Sequence, residues 1–329
     1  MNNYSDANLE TLKKDVNKTI EECKKLIENL KTSPEVKLNH FNDIESMIYD
    51  LSGRVAFLGD VHPEENIRDF GNEADSKIQN FALEIFNDSD LYKKYNNIDI
   101  SNLDEEDLSF YKDLGLDFKD AGHELSKEKK ERLIEIEKKL IELGISFSEN
   151  IAKDKTELMF LEDELKGLTQ NELQNLRKEG DRFVITMAYP DVNAVSENCT
   201  VRKTREVVWK AFNNRSVKEN SPILEEAVVL RNEKAKLFGF NTWSEYRLQN
   251  RMAKGPSNVT SMYEDLIPKL QKAANKEKNE LVIDDIEIND IAPWDIRYFV
   301  SAERAKVSNV ENSELKKYFY IHDVKNEMF

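Results

Sequence analysis

Apolar residues recur every three or four positions along most of this chain. Between Asp60 and Asn97, the residues Ile67, Phe70, Ala74, Ile78, Phe81 and Ile85 fall on one stripe, which predicts a helix with a single buried face. Pro63 reads as a first-turn residue, because its missing N–H has no intrahelical partner there. Glu64 and Glu65 then favour the positive end of the helix dipole. The first sixty residues are helical in pattern, with a break at Thr32-Ser33-Pro34. After Ser126 a second stripe of Leu133, Ile136, Leu140, Leu143, Phe147 and Ile151 predicts the most strongly patterned helix. Glu131, Glu135, Lys138 and Glu142 read as its solvated face. Gly144 inside that helix costs about 1 kcal/mol of propensity and points to close packing.

Two segments change period. Thr156 to Phe160 reads as a strand, as does Arg182 to Tyr189, where Phe183, Ile185, Met187 and Tyr189 alternate between Gly180-Asp181 and Pro190. The two are expected to pair as a small antiparallel ribbon, connected by a helix over Glu162 to Lys178. Farther on, Ser221-Pro222 is read as opening a helix that closes at Gly239, and Thr242 as capping the next. Gly255-Pro256-Ser257 precedes a helix striped by Val259, Met262, Tyr263, Leu266 and Leu270, with Pro268 expected to kink it. The fold class expected is therefore mainly α, with many helices and one small β ribbon.

Composition agrees. Ten glycines and seven prolines in 329 residues, with 34% charged residues, favour long solvated helices over a turn-rich sheet fold. The net charge of −16 repels phosphate backbones and argues against nucleic-acid partners; solubility is its simplest meaning. Cys23 and Cys199 form no CxxC pattern, so neither a disulfide scaffold nor a zinc knuckle is expected. The N-terminal MNNYSDANLETLKKD lacks the apolar core of a signal peptide, and no run approaches the roughly 20 apolar residues that cross a bilayer. No membrane partner and a cytoplasmic location are the expectations.

Catalytic chemistry is sparse. The histidines are His40, His62, His123 and His322. A zincin needs two histidines one helical turn apart, with a glutamate between them to activate the metal-bound water. His123-Glu124 begins such a motif, but Lys127 stands where the second histidine belongs, and Ser126 places the segment in a loop. His62, before Pro63, reads as a cap or turn residue. Asp284, Asp285, Glu287 and Asp290 lack the spacing of a calcium loop and read as an exposed acidic turn. No glycine-rich phosphate loop or GxSxG elbow occurs. No catalytic, metal-binding or cofactor-binding residue is assigned.

Several segments, taken in order, resemble one family. VHPEENIRDFGNEADSKIQNFALEIFNDSDLYKKY is similar to the N-terminal helical region of the thimet oligopeptidase, neurolysin and saccharolysin family of zinc metallopeptidases. LSKEKKERLIEIEKKLIELGISFSENI resembles its next long helix, and TELMFLEDELKGLTQ its strand and "eeLkGLp" segment. Tyr189-Pro190, Thr204-Arg205 and Ala211, Asn214 and Arg215 in AFNNRS resemble the family's "YP…(T)RR…AyNnR" run. The segment from Ile223 to Val259 follows the family pattern, including Leu230-Arg231, Gly239, Tyr246 and Arg251-Met252-Ala253-Lys254. Ala292-Pro293-Trp294-Asp295 with Arg297-Tyr298-Phe299 resembles "PWDxxYY", and KKYFYIHDVKNEMF the lead into the catalytic half.

The resemblance implies a largely helical peptidase with a deep channel that admits short peptides. Its zinc is held by HExxH and a downstream glutamate, in residues matching positions beyond Phe329. The expected division is an N-terminal helical domain over 1–190 and an incomplete start of the catalytic domain over 191–329. No zinc is expected on this chain. The chain would build channel wall and entrance and be inactive alone, with the missing catalytic half as its partner. The alternatives are a non-catalytic helical module that binds peptides or proteins, and a subunit paired with a separately encoded catalytic half. Helices beyond about residue 190 are also expected to leave apolar faces in water.

Overall fold

The computed structural model describes residues 8–280, 290–308 and 318–328, and Asp284, Asp285, Glu287 and Phe329 lie outside them. The chain forms two compact units, Met1–Ala152 with Lys218–Pro256, and Lys153–Val217 with Ser257–Phe329.

The first unit begins with α1 (Leu9–Thr32), whose first turn is capped by the Asn8 carboxamide oxygen accepting from the Glu10 and Thr11 amides. It ends at the expected Thr32-Ser33 break, and α2 (Leu38–Val55) follows. A single turn, α3 (Leu58–Val61), leads to α4 (Glu65–Asn87). The six predicted stripe residues of α4 are all buried. Pro63 lies outside that helix: Glu64 is the N-cap, and the His62 Nδ1 accepts the Glu64 amide at 3.1 Å. The helix starts two residues later than the sequence predicts, because Pro63 is taken up in the turn between His62, the C-cap of α3, and the Glu64 amide that His62 holds. Gly71 of α4 lies so close to α3 that a Cβ there would stand 2.4 Å from the Gly59 nitrogen. Next come α5 (Ser89–Asn96), α6 (Glu105–Asp120) and α7 (Lys127–Ala152). The core shared by α1, α2, α4, α5 and α6 joins Val16, Ile27, Phe41, Leu51, Ala74, Phe81, Leu91 and Phe118 among others. Gly144 has no neighbour that a Cβ would meet, so the close packing expected there does not occur.

The second unit opens on the β ribbon. Strand β1 (Glu157–Phe160) is followed by a 3₁₀ turn over Glu162–Leu165 and α8 (Gln170–Asn175). Then β2 (Arg177–Glu179) and β3 (Arg182–Thr186) complete a three-stranded antiparallel sheet in the order β1-β3-β2. Glu157 pairs with Thr186 and Phe160 with Phe183. The expected pairing of the two strands is present, but the continuous connecting helix is not. Gly167 breaks it at φ +101°, and Thr169 with Glu172 forms a reciprocal capping box that restarts the helix. Strand β3 also stops before Tyr189, which instead opens α9 (Tyr189–Asn198) with Pro190 in its first turn. Helix α10 (Arg202–Asn213) follows. Phe160, Leu165, Phe183, Ile185, Val192, Val195, Cys199 and Val208 form the core of this sheet and its helices.

The chain then returns to the first unit with α11 (Val217–Leu237), which begins ahead of Ser221 and carries Pro222 inside it. Ile136 and Leu143 of α7 pack against Ala227 and Leu230. Arg132 makes a two-pronged ion pair with Glu233, at 2.6 and 2.9 Å. Gly239 closes the segment at φ +83°, and Thr242 caps α12 (Trp243–Leu248) through a capping box with Glu245. Tyr246 is buried against the Phe238, Phe240 and Trp243 rings.

The remaining helices are α13 (Pro256–Glu280), α14 (Pro293–Ser308) and α15 (Ile321–Met328). Pro268 sits inside α13, which has no buried residue. Met262, Tyr263, Leu266 and Leu270 of its predicted stripe are exposed.

Candidate functional site

The motif segments at Thr204-Arg205 and Pro293-Trp294-Asp295 are about ninety residues apart, yet they meet in the second unit. Asp295, wholly buried, lies in the first turn of α14. Its carboxylate accepts from Arg205 Nη2 at 2.9 Å, from Arg202 Nε at 3.1 Å and Nη2 at 2.8 Å, and from the Ala292 amide at 3.0 Å. Burial alone would raise the pKa of Asp295. The bonds from Arg202, the Ala292 amide and Arg205 outweigh it and hold the carboxyl below its ordinary range. Arg205, 2% exposed, also donates to the Cys199 carbonyl at 2.8 Å and lies 4.2 Å from the centre of the Tyr298 ring. Thr204 donates to the Glu164 carbonyl at 2.7 Å, tying α10 to the 3₁₀ turn. The result is a fixed ionic joint between α10 and α14.

Beside that joint, α9, α10 and α14 enclose a cleft of about 370 Å³. Its apolar surfaces come from Tyr189, Val192, Trp209, Phe212, Pro293 and Trp294. Trp209 meets Trp294 edge to face at 5.9 Å, and Tyr189 meets Phe212 likewise at 5.5 Å. Asn193, Ser196, Asn213 and Arg297 supply the polar lining. Arg297 Nη1 donates to Asn193 Oδ1, and Asn213 Nδ2 donates to the Trp209 carbonyl. Thus four of the segments quoted from the sequence (the Tyr189-Pro190 turn, AFNNRS, the Pro-Trp-Asp run and Arg297) converge on one cleft.

The histidines are placed differently. His123 sits in the turn between α6 and α7, stacked 4.3 Å from the Tyr92 ring. Its Nε2 is 2.7 Å from the Phe86 carbonyl and its Nδ1 is 3.2 Å from Lys130 Nζ, so both ring nitrogens are engaged. Burial lowers its pKa. His40 Nδ1 accepts the Lys37 amide at the start of α2, and His322 lies exposed on α15. Among the described residues, no group of three or more His, Cys, Asp or Glu side chains could hold a metal ion. These residues do not fit a catalytic zinc, and no chemical step is derived through one. Cys23 and Cys199 are buried free thiols, and burial pushes Cys23 up to about 11. Among the described residues, no helix is long and apolar enough to cross a membrane.

In the sequence, Thr204, Arg205, Trp294 and Asp295 stand out only as pieces of motifs. The cleft they border went unforeseen, because its walls come from three segments whose packing no local spacing encodes. The one available signal was the concentration of Tyr189, Trp209, Phe212 and Trp294 in otherwise polar helices.

Comparison with known proteins bears on the same segments. The pattern of Peptidase family M3 matches residues 195–329, which include α10 and α14. The Thimet-like oligopeptidase of Dictyostelium discoideum is 31% identical over 78% of this chain and 42% of its own length. Oligopeptidase A of Haemophilus influenzae is 25% identical over 96% of this chain and 50% of its own, and Saccharolysin of Saccharomyces cerevisiae 26% over 87% and 44%. The chain spans about half the length of the curated relatives it matches. With the mainly helical fold and the ordered motifs, these matches mean that this chain belongs to peptidase family M3.

Proposed function

We propose that this chain is the N-terminal part of a zinc-dependent metallo-oligopeptidase acting on short peptides, supplying channel wall and entrance while the zinc site belongs to sequence it does not contain. On this reading 1–190 is the N-terminal helical domain and 191–329 the start of the catalytic domain, the chain is inactive by itself, and the enzyme works in the cytoplasm. The observation that carries the reading is the joint at Asp295. Two of the segments that resemble the family, far apart in sequence, are held together by the ion pairs of buried Asp295 with Arg202 and Arg205, within the residues that the family pattern matches, and this supports the reading. The relatives' names, oligopeptidase and saccharolysin, supply the substrate class.

The test has two arms. The purified chain, incubated with zinc and a quenched fluorogenic peptide, is expected to show no turnover and no stoichiometric metal. Reading the gene past the Phe329 codon is expected to reveal HExxH with a glutamate one helix later. Bound zinc at one per chain, or a stop codon directly after Phe329, overturns the proposal.

A further inference from the structure

The cleft between α9, α10 and α14 has a lining unusual for this protein. The chain carries 64 acidic residues and a net charge of −16, yet among the described residues no carboxylate lines the cleft. Among the described residues, its single charged lining residue is Arg297. Among the described residues, the Nε and Nη2 groups of Arg297 make no hydrogen bond, and neither do the Nδ2 of Asn193 or the indole N–H groups of Trp209 and Trp294. Tryptophan and arginine donate only, so the uncommitted polar groups here are mainly donors. Around them stand four aromatic rings, and the floor is formed by Val192 and Ser196, 5% and 7% exposed.

A ligand that suits this lining has a large apolar side chain for the rings and a compact anionic acceptor for the guanidinium. Arginine meets a carboxylate through two parallel hydrogen bonds, which fixes orientation as well as charge. The volume, about 370 Å³, is at the lower end of ligand pockets and accommodates one terminal residue better than an extended chain. We propose that this cleft binds the C-terminal residue of a peptide ending in a bulky apolar side chain, with the α-carboxylate at Arg297 and the side chain among Tyr189, Trp209, Phe212 and Trp294. The proposal deepens the oligopeptidase reading by assigning a peptide-end site built wholly from this chain.

Tryptophan fluorescence reads the site directly. Two of the three tryptophans line the cleft, and the third, Trp243, lies in the other unit and is removed as background by Trp243→Phe. In that variant of the full 329-residue chain, N-acetyl-Ala-Ala-Phe with a free carboxylate is expected to change the emission saturably. Its C-terminal amide should bind about tenfold more weakly, the loss expected for one charge-assisted hydrogen-bonded contact. Arg297→Gln, at an exposed position, should bring acid and amide to the same affinity while leaving the thermal unfolding curve in place. Phe-terminated peptide should also bind more tightly than its Ala-terminated analogue.

Absence of a saturable change overturns the proposal, as does equal binding of acid and amide to the unsubstituted cleft. An acid preference that survives Arg297→Gln overturns it too, because the carboxylate is then read elsewhere. Direct binding to this chain is measured without turnover or metal, so its failure is distinct from failure of the oligopeptidase reading, which is tested by zinc binding and by reading the gene past the Phe329 codon.

Discussion

Asp295 illustrates how much one side chain can carry. It is completely buried between two guanidiniums, one of which, on Arg205, is itself 2% exposed. Removing the carboxylate leaves the Arg205 charge in a dry site, a change that costs about 3–5 kcal/mol where such pairs are broken. Asp295→Ala is therefore expected to destabilise the second unit by that order, seen as a lower denaturant midpoint. The pH sign follows from the depressed carboxyl: its stabilisation is present above the unfolded value near 3.8 and is lost as pH falls through the lower folded value. Glu45 works in the opposite sense. Burial, with Asp117 and Asp113 nearby, raises it to about 7, and its Oε1 is buried with no partner. A raised folded value means a contribution present below the ordinary 4.5 and lost as pH rises through about 7. Glu45→Gln is expected to flatten the fall in melting temperature between pH 5 and pH 8, and an unchanged slope would refute the assignment. Neither environment was legible in the sequence, since Asp295 and Glu45 look like any other acidic residue until helices from elsewhere in the chain close over them.

Elements were far more legible. The stripes of α4 and α7, the break near Ser33, the αL closure at Gly239 and the Thr242 cap all came from local spacing, because each depends on residues within one or two turns. Failures occurred where a distant partner decided the outcome. The stretch after Glu162 reads as one helix, yet it breaks at Gly167, where a Cβ would stand 2.1 Å from the Asn198 carbonyl. Close approach of the end of α9 demands a glycine there, and the helix is given up for it. Strand β2 was missed for a related reason: Arg177, Lys178 and Glu179 have no apolar alternation and are held by pairing with β3. Gly71 shows the same kind of silence, since its role is set by Gly59 twelve positions earlier.

At the scale of the whole molecule, exposed apolar side chains concentrate after residue 190, as the sequence led one to expect. Val228 and Val229 of α11, the α13 stripe, Ile296 and Val300 of α14, and Tyr318 to Ile321 all stand in water. Helix α13 is the clearest case, with 25 residues and none buried. Surfaces of this kind promote self-association. Replacing Met262 and Leu266 together by glutamate is expected to lower concentration-dependent light scattering without lowering the melting temperature, because neither side chain supports the core. A fall in melting temperature would place α13 in a packed interface.

The interleaved course of the chain has a consequence for its synthesis. Ile136 and Leu143 of α7 find their packing partners only when Ala227 and Leu230 arrive, after the whole of 153–217 has been made. At bacterial or eukaryotic elongation rates that interval is on the order of 10 s, during which an amphipathic helix already long enough to form waits with one greasy side open at the ribosome. Arg132 and Glu137 wait with it for Glu233 and Lys234. The order in which the chain emerges therefore sets a window for holding factors, and that window closes with α11 rather than with the last residue made.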